Sequence, residues 1–245
     1  MKFRVLTPTK DRPEALALLS RWLLRQTRQD FEWWIVCDGE KTPKFPEWGD
    51  RLNVLKREPA PKDTHSLNAN IVHALDNMPQ NLPVAICEDD DYYAPRYLQV
   101  MMDQIKMFAI AGLAPAFYYN LRTRTYKDCG NQHHSSLATT ILTPHALPFL
   151  REAATSPPDS PKQREHWSKW GEVPFLDIRL WKRVGGRIQR VLEDGKPLQV
   201  GVKGMPGTTG IGIGHRMDKR NDPDLEIFKQ WLGDDWTVYK EYIGA

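Results

Sequence analysis

Val84-Ala85-Ile86-Cys87-Glu88-Asp89-Asp90-Asp91 decides the reading of this chain: a short apolar run delivers four consecutive carboxylates. Four negative charges at one point cost free energy unless cations or hydrogen-bond donors offset them. A buried strand ending in such a cluster presents it at the carboxyl edge of a sheet, where open α/β proteins bind their ligands. Oxygen-only ligands suit Mg²⁺ or Mn²⁺, and those ions suit phosphates. A solvated acidic turn is the alternative reading of the same residues.

Outward from that stretch, strands and helices alternate. Residues 3–7 read as a first strand, closed by the polar loop Pro8-Thr9-Lys10-Asp11-Arg12-Pro13. Residues 14–26 place Leu16, Leu19 and Leu23 at helical spacing. A second strand over 31–37 ends in the turn signal Asp38-Gly39, and 52–56 is a third. Residues 66–78 form a helix with Leu67, Ile71, Ala74, Leu75 and Met78 on one face. The strand 83–87 is followed by a helix over 94–108, with Pro95 in its first turn. This alternation predicts a mainly parallel, doubly wound α/β sheet flanked by helices.

The second half is less regular. Residues 116–126 and 136–142 read as strands, 144–153 as a short helix, and 154–165, with Ser156-Pro157-Pro158-Asp159-Ser160-Pro161, as an exposed mobile loop. A helix over 175–184 stops at Gly185-Gly186, and 187–192 is a strand. Residues 201–214 hold six glycines among fourteen and read as a flexible stretch able to close over a ligand. No repeat or independent linker divides the chain, so 1–110 and 111–245 read as two halves of one continuous domain.

A chain of 245 residues can bury a sizeable core. Its apolar runs fall short of the ~20 residues that span a bilayer, and the N-terminus turns polar before a signal-peptide segment forms. The expectation is a soluble, cytoplasmic protein. Cys37, Cys87 and Cys129 are too widely spaced for a zinc site, and the first two fall in strands, so neither a disulfide nor a structural metal is expected. The net charge of +3 conceals thirteen Lys/Arg against six Asp/Glu in 162–220, and two against six in 221–245. A basic segment of this kind is compatible with an anionic partner, nucleic acid included.

These residues, in order, resemble the inverting nucleotide-sugar glycosyltransferases of the GT-A fold, specifically the large family 2 group. The opening strand and loop 5–13, the segment from Gln26-Thr27 to Asp38-Gly39, the helix start Leu67-Asn68-Ala69-Asn70 and the acidic run with Tyr92-Tyr93-Ala94-Pro95 carry the resemblance. It covers residues 3–108 and thins afterwards. Three departures stand out: Leu67 where the family has Arg, Asn70 where it usually has Gly, and Glu88 where Asp is commoner.

The resemblance implies a nucleoside diphosphate sugar donor, with a uridine nucleotide favoured. It implies donor binding by Thr7, Pro8, Thr9, Arg12, Asp38, Asn68, Glu88 and Asp89, with Asp38 accepting from a uracil N–H; a turn-forming Asp-Gly explains Asp38 equally. A divalent ion, Mn²⁺ or Mg²⁺, would be held by Asp90 and Glu88, with His215 near the C-terminus completing the shell and Arg216 facing the diphosphate. Asp91 reads alternatively as a helix cap. The family's base motif is similar to Glu172-Val173-Pro174-Phe175-Leu176-Asp177, which makes Asp177 the first choice of base and Glu172 the second; Phe175 occupies a position where the family has an acid. Trp167, Trp170 and His134 are candidate acceptor contacts, and Trp181 reads as core. The acceptor is either a hydroxylated base in DNA or a saccharide. A nucleotide- or nucleic-acid-binding protein that keeps the fold without transfer is the rival reading.

Overall fold

The structure is a computed structural model and describes residues 1–59, 65–171, 173–207 and 220–244. Strand β1 (Phe3–Thr9) is followed by α1 (Pro13–Leu24), β2 (Phe31–Cys37), β3 (Leu52–Lys56), α2 (Leu67–Asn77), β4 (Val84–Ile86) and β5 (Asp91–Tyr93). Then come α3 (Tyr97–Gln104), β6 (Ile110–Leu113), β7 (Ala116–Asn120), β8 (Thr125–Cys129), β9 (Thr140–Leu142), α4 (Leu147–Thr155), α5 (Pro161–Trp170) and α6 (Leu176–Arg183). Next come β10 (Arg187–Gln189), β11 (Leu192–Glu193), β12 (Lys196–Pro197), β13 (Gln199–Lys203), β14 (Arg220–Asn221) and α7 (Glu226–Leu232), with a 3₁₀ segment over Gly233–Tyr242 after it.

The main sheet has the order β10-β6-β9-β4-β1-β2-β3, and β1 pairs in parallel with both β2 and β4. Period-2 alternation drives its two faces into separate cores. Phe3, Val5, Trp33 and Ile35 face one apolar cluster with Trp22 of α1 and Met101 of α3. Leu6, Trp34, Val36, Val84 and Ile86 face the other, with Ile71 of α2, Leu150 of α4 and Leu180 of α6. Helices on both faces explain why β1 is buried at every residue. The expected doubly wound α/β architecture is therefore present, with β9 as an antiparallel insertion between β4 and β6. Among the described residues no helix is long and apolar enough to cross a membrane.

A second sheet, β14-β8-β7-β13-β5, stands beside the first. Its presence changes several expectations. The helix expected over 94–108 is shortened to α3 because Asp91–Tyr93 is taken into this sheet as β5, antiparallel to β13, and Pro95 precedes the helix. The strand expected over 116–126 is a hairpin. The Asn120 side chain accepts the amide hydrogens of Arg122 and Thr123, and Arg124 takes a left-handed φ of 49°. Residues 137–139 form a 3₁₀ turn before β9.

The loop expected over 154–165 yields to α5 at Pro161. Ser160 caps that helix by accepting from the Gln163 amide, and Gly171 ends it in the left-handed region. Residues 201–203 belong to β13, whose five residues are all buried, and 208–214 lie outside the described residues.

Gly112 on β6 shows how tightly the main sheet is packed. A Cβ there would sit 2.4 Å from Ser135 Cβ and 2.8 Å from Trp181 Cζ2. Gly112→Ala is expected to cost about 1–3 kcal/mol through overpacking, lowering Tm by several degrees in scanning calorimetry. An unchanged Tm would show that the Ser135–Trp181 layer moves freely.

Candidate active site

The chain runs from β1 through β2 to β3 on one side, then returns to place β4 on the other side of β1. That reversal opens a crevice at the carboxyl ends of β1 and β4. The acidic run leaves β4 here and continues into β5, so Glu88–Asp90 form the crossing between the two sheets.

Each carboxylate meets a built-in partner. Thr9 at the end of β1 donates to Asp89 Oδ2 at 2.6 Å. Arg12 forks across the next two acids, Nη1 to Asp89 Oδ1 at 3.0 Å and Nη2 to Asp90 Oδ2 at 2.8 Å. From the opposite side Lys203 Nζ donates to Asp90 Oδ1 at 2.8 Å and Asp91 Oδ1 at 2.9 Å, and lies 3.7 Å from Glu88 Oε2. Gln199 donates to Asp91 Oδ2 at 2.6 Å. Gln199, Gly201 and Lys203 alternate along one face of β13. A Cβ on Gly201 would stand 2.5 Å from the Tyr118 ring and 3.4 Å from Asp91 Oδ1, so this glycine makes room for both.

The electrostatics follow from burial set against these cations. Burial would raise the Asp90 carboxyl, but Arg12 and Lys203 outweigh it and hold the group far below the usual range. Burial prevails at Asp89, Asp91 and Glu88, whose pKa values are raised. Burial also works against the Lys203 ammonium, yet Asp90, Asp91 and Glu88 outweigh it and keep the group protonated. Glu88 is the most exposed of the four acids. Its backbone N–H is pinned by Tyr93 Oη at 2.9 Å.

Asp38, directly after β2, is wholly buried and accepts from Asn70 Nδ2 at 2.8 Å and Arg57 Nη2 at 3.2 Å, while Arg57 Nε donates to Asn70 Oδ1 at 2.9 Å. Thr7 and Pro8 are buried within β1, and the Thr7 hydroxyl accepts from Trp33 Nε1 at 3.0 Å. Asn68 donates to the Val173 carbonyl at 2.9 Å, tying the start of α2 to the segment that leads into α6. Asp177 sits half-buried in the first turn of α6, where Oδ1 accepts the Ile178 amide at 2.8 Å. Burial raises its pKa, with His134 pulling the other way, and its charge is felt at Glu88 and at Tyr118. Arg179 donates to the carbonyls of Pro174, Ala153 and Val173.

Asp177, His134, Tyr118 and Glu88 therefore share one electrostatic neighbourhood beside the acidic crossing. His133 and His134 fall in the loop before β9; His133 is exposed and His134 half-buried. Trp167 projects from α5 with half its surface exposed and lines a cavity of about 560 Å³ with Arg57, His65, Asn68 and Val173. Trp181 is core, its Nε1 donating to Thr140 at 3.2 Å. Asp91 is a strand residue and caps no helix; the N-cap position of α3 is Arg96. Glu172, His215 and Arg216 lie outside the described residues, as does the Trp170 side chain. Lys203, Gln199 and Tyr118 are the site residues missed in the sequence. The signal for Gln199 and Lys203 is the alternating Gln199-Val200-Gly201-Val202-Lys203, masked by the glycine-rich tract that follows.

Carboxylate oxygens of Glu88, Asp90 and Asp91 come within 4.8 Å of one another, and such a donor set suits a hard divalent ion. The same three groups already surround the Lys203 ammonium. Both oxygens of Asp90 and both of Asp91 accept from side chains of the protein. As folded, the set does not fit a divalent ion unless Lys203 leaves.

No protein-family model and no curated protein matches the chain in sequence. Solved structures do match in fold. S. aureus TarS superposes with a TM-score of 0.52 at 14% identity, over 83% of this chain and 37% of that one. TarS 1–349 in complex with UDP-GlcNAc gives 0.53 at 15% identity, over 83% of this chain and 59% of that one. The complex with UDP gives 0.52 at 14% identity, over 82% and 60%. The chain thus spans less than two thirds of the TarS chains it matches. The likeness establishes the Rossmann-like GT-A fold expected from the sequence.

The Asp38–Arg57–Asn70 network yields a stability test. Arg57→Met leaves a buried carboxylate with one partner and is expected to cost on the order of 3 kcal/mol in urea unfolding. Adding Asp38→Asn should recover most of that loss, because the stranded charge is removed. Additive losses in the double variant would contradict a direct coupling.

Proposed function

We propose that the chain is an inverting glycosyltransferase that moves a sugar from a UDP-linked donor to an acceptor hydroxyl. One observation carries the reading: an acidic crossing at the carboxyl edge of the sheet, on a fold shared with a protein solved in complex with UDP-GlcNAc. Asp38 with Arg57 and Asn70 lies at the end of β2, next to the cavity that shares Arg57 with it, and we assign the nucleoside to this side. Thr9, Arg12, Glu88 and Asp89 are assigned to the donor's ribose and diphosphate side.

Asp177 is assigned as the base. It takes the proton from the acceptor hydroxyl as the oxygen attacks the anomeric carbon, and the bond to the diphosphate breaks with its electron pair leaving on the nucleotide. A half-buried carboxylate of raised pKa suits that role, since its basicity is higher than that of an exposed acid. His134 and Tyr118 border it on the acceptor side. Glu172 is the second candidate base. Neither Mn²⁺ nor Mg²⁺, the ions expected from the sequence, is given a step, because Lys203 holds the position among the carboxylates.

Lys162, Arg164, Lys182, Arg187, Arg190 and Lys196 are exposed on α5, α6 and the strands after it. They support a hydroxylated DNA base over a neutral saccharide as acceptor. DNA binding that falls steeply with added salt is the expected result, and binding indifferent to salt would favour the saccharide.

UDP should raise Tm where ADP does not, by an amount that grows with nucleotide concentration. Transfer should rise with pH through the raised Asp177 pKa and level off above it, because only the ionised carboxylate accepts a proton. Asp177→Asn should leave the UDP shift intact and cut turnover about 10²–10⁴-fold. Unchanged turnover would move the base role to Glu172, and UDP binding without transfer to any acceptor would return a nucleotide-binding protein.

A further inference from the structure

Lys203 stands out as a buried lysine whose ammonium lies among three acids, where a divalent ion would otherwise be expected. Its side chain is 5% exposed, and its ammonium contacts Asp90 and Asp91 directly, with Glu88 just beyond hydrogen-bond range. Those are the same three residues whose oxygens converge at ion-binding distance. Arg12 closes the other side of Asp90, and Gln199 the other side of Asp91. The backbone holds Lys203 in place, since β13 is hydrogen-bonded to β7 on one side and β5 on the other, with Lys203 in register with Asn120. An ammonium and a divalent ion cannot share so small a space, and the strand that carries the lysine cannot withdraw without breaking both ladders.

We propose that Lys203 is the resident cation of this site, filling the position among Glu88, Asp90 and Asp91 that a divalent ion would take, so that nucleotide binding and transfer require no metal. The role rests on the glycosyltransferase reading as far as the nucleotide is concerned; the occupancy of the cation position does not. Lys203 acts through the acids, as a positioning residue. It fixes the crossing between the sheets and, with Arg12, compensates the charge that the donor's diphosphate would otherwise meet.

The test uses Mn²⁺ alone and UDP, at pH 8. Electron paramagnetic resonance of wild-type protein with Mn²⁺ is expected to show the free-ion signal undiminished, and Lys203→Met should take up one Mn²⁺ per chain. In thermal shift, wild-type protein should respond to UDP equally in EDTA and in Mn²⁺. Lys203→Met should lose the response in EDTA and regain it in Mn²⁺. Stoichiometric Mn²⁺ uptake by the wild type, or a UDP response that needs Mn²⁺, would overturn the proposal. The wild-type arms decide the matter even where Lys203→Met does not fold. A wild type that binds neither Mn²⁺ nor UDP would overturn the nucleotide reading and leave Lys203 as the resident cation.

Discussion

The pairing of Glu88–Asp91 with Arg12 and Lys203 is the constraint on which the rest of the molecule hangs. Four acids at a strand end would repel one another and oppose burial. Two cations from distant parts of the chain, one after β1 and one at the end of β13, make the arrangement tolerable. Asp90, clasped by both, stays ionised, and burial raises the pKa values of its neighbours. Removing either cation would strand a buried charge, which is costlier than never having built the pair.

The same contacts hold the architecture together. Asp91 belongs to β5 and Lys203 to β13, so the ion pairs lie along the seam where the second sheet joins the first. The crossing from β4 to β5 is short, and Tyr93 fixes it by receiving the Glu88 amide while its own hydroxyl donates to the Ala138 carbonyl at 3.3 Å. Asn68 and Arg179 both bind the Val173 carbonyl, which sets the start of α6 against α2. Asp177 is delivered to the neighbourhood of Glu88 by that bracing and not by any contact of its own side chain with the acidic run. The base proposed on a helix start and the donor side proposed on strand ends can thus be tuned separately.

How much of this was legible in the sequence depended on whether the signal was local. The parallel strands β1 and β2 declare themselves as apolar runs, and α2 as a period-3.6 pattern, because each is decided by burial on its own faces. The acidic run was visible for the same reason: its charges are adjacent. Lys203 is obscured, since the short alternating run 199–203 that marks a strand passes directly into a glycine-rich tract that reads as flexible. Only the pairing of β13 with β5 brings it to Asp91. Asp91 itself reads as a helix cap until tertiary pairing draws Tyr92 and Tyr93 into the second sheet. The start of α5 was readable in Ser160-Pro161-Lys162-Gln163, where a capping serine precedes a proline, but the prolines before it dominated the reading.

A nucleoside diphosphate bound at this crossing is proposed to sit beside a lysine and not beside a metal. A crystal structure of the protein grown with UDP and Mn²⁺, with data collected at the manganese absorption edge, tests it directly. The expected result is ordered UDP along the ends of β1 and β4, Lys203 Nζ still against Asp90 and Asp91, and no anomalous peak among Glu88, Asp90 and Asp91. A manganese peak bridging those carboxylates and the diphosphate, with Lys203 turned away, would contradict it.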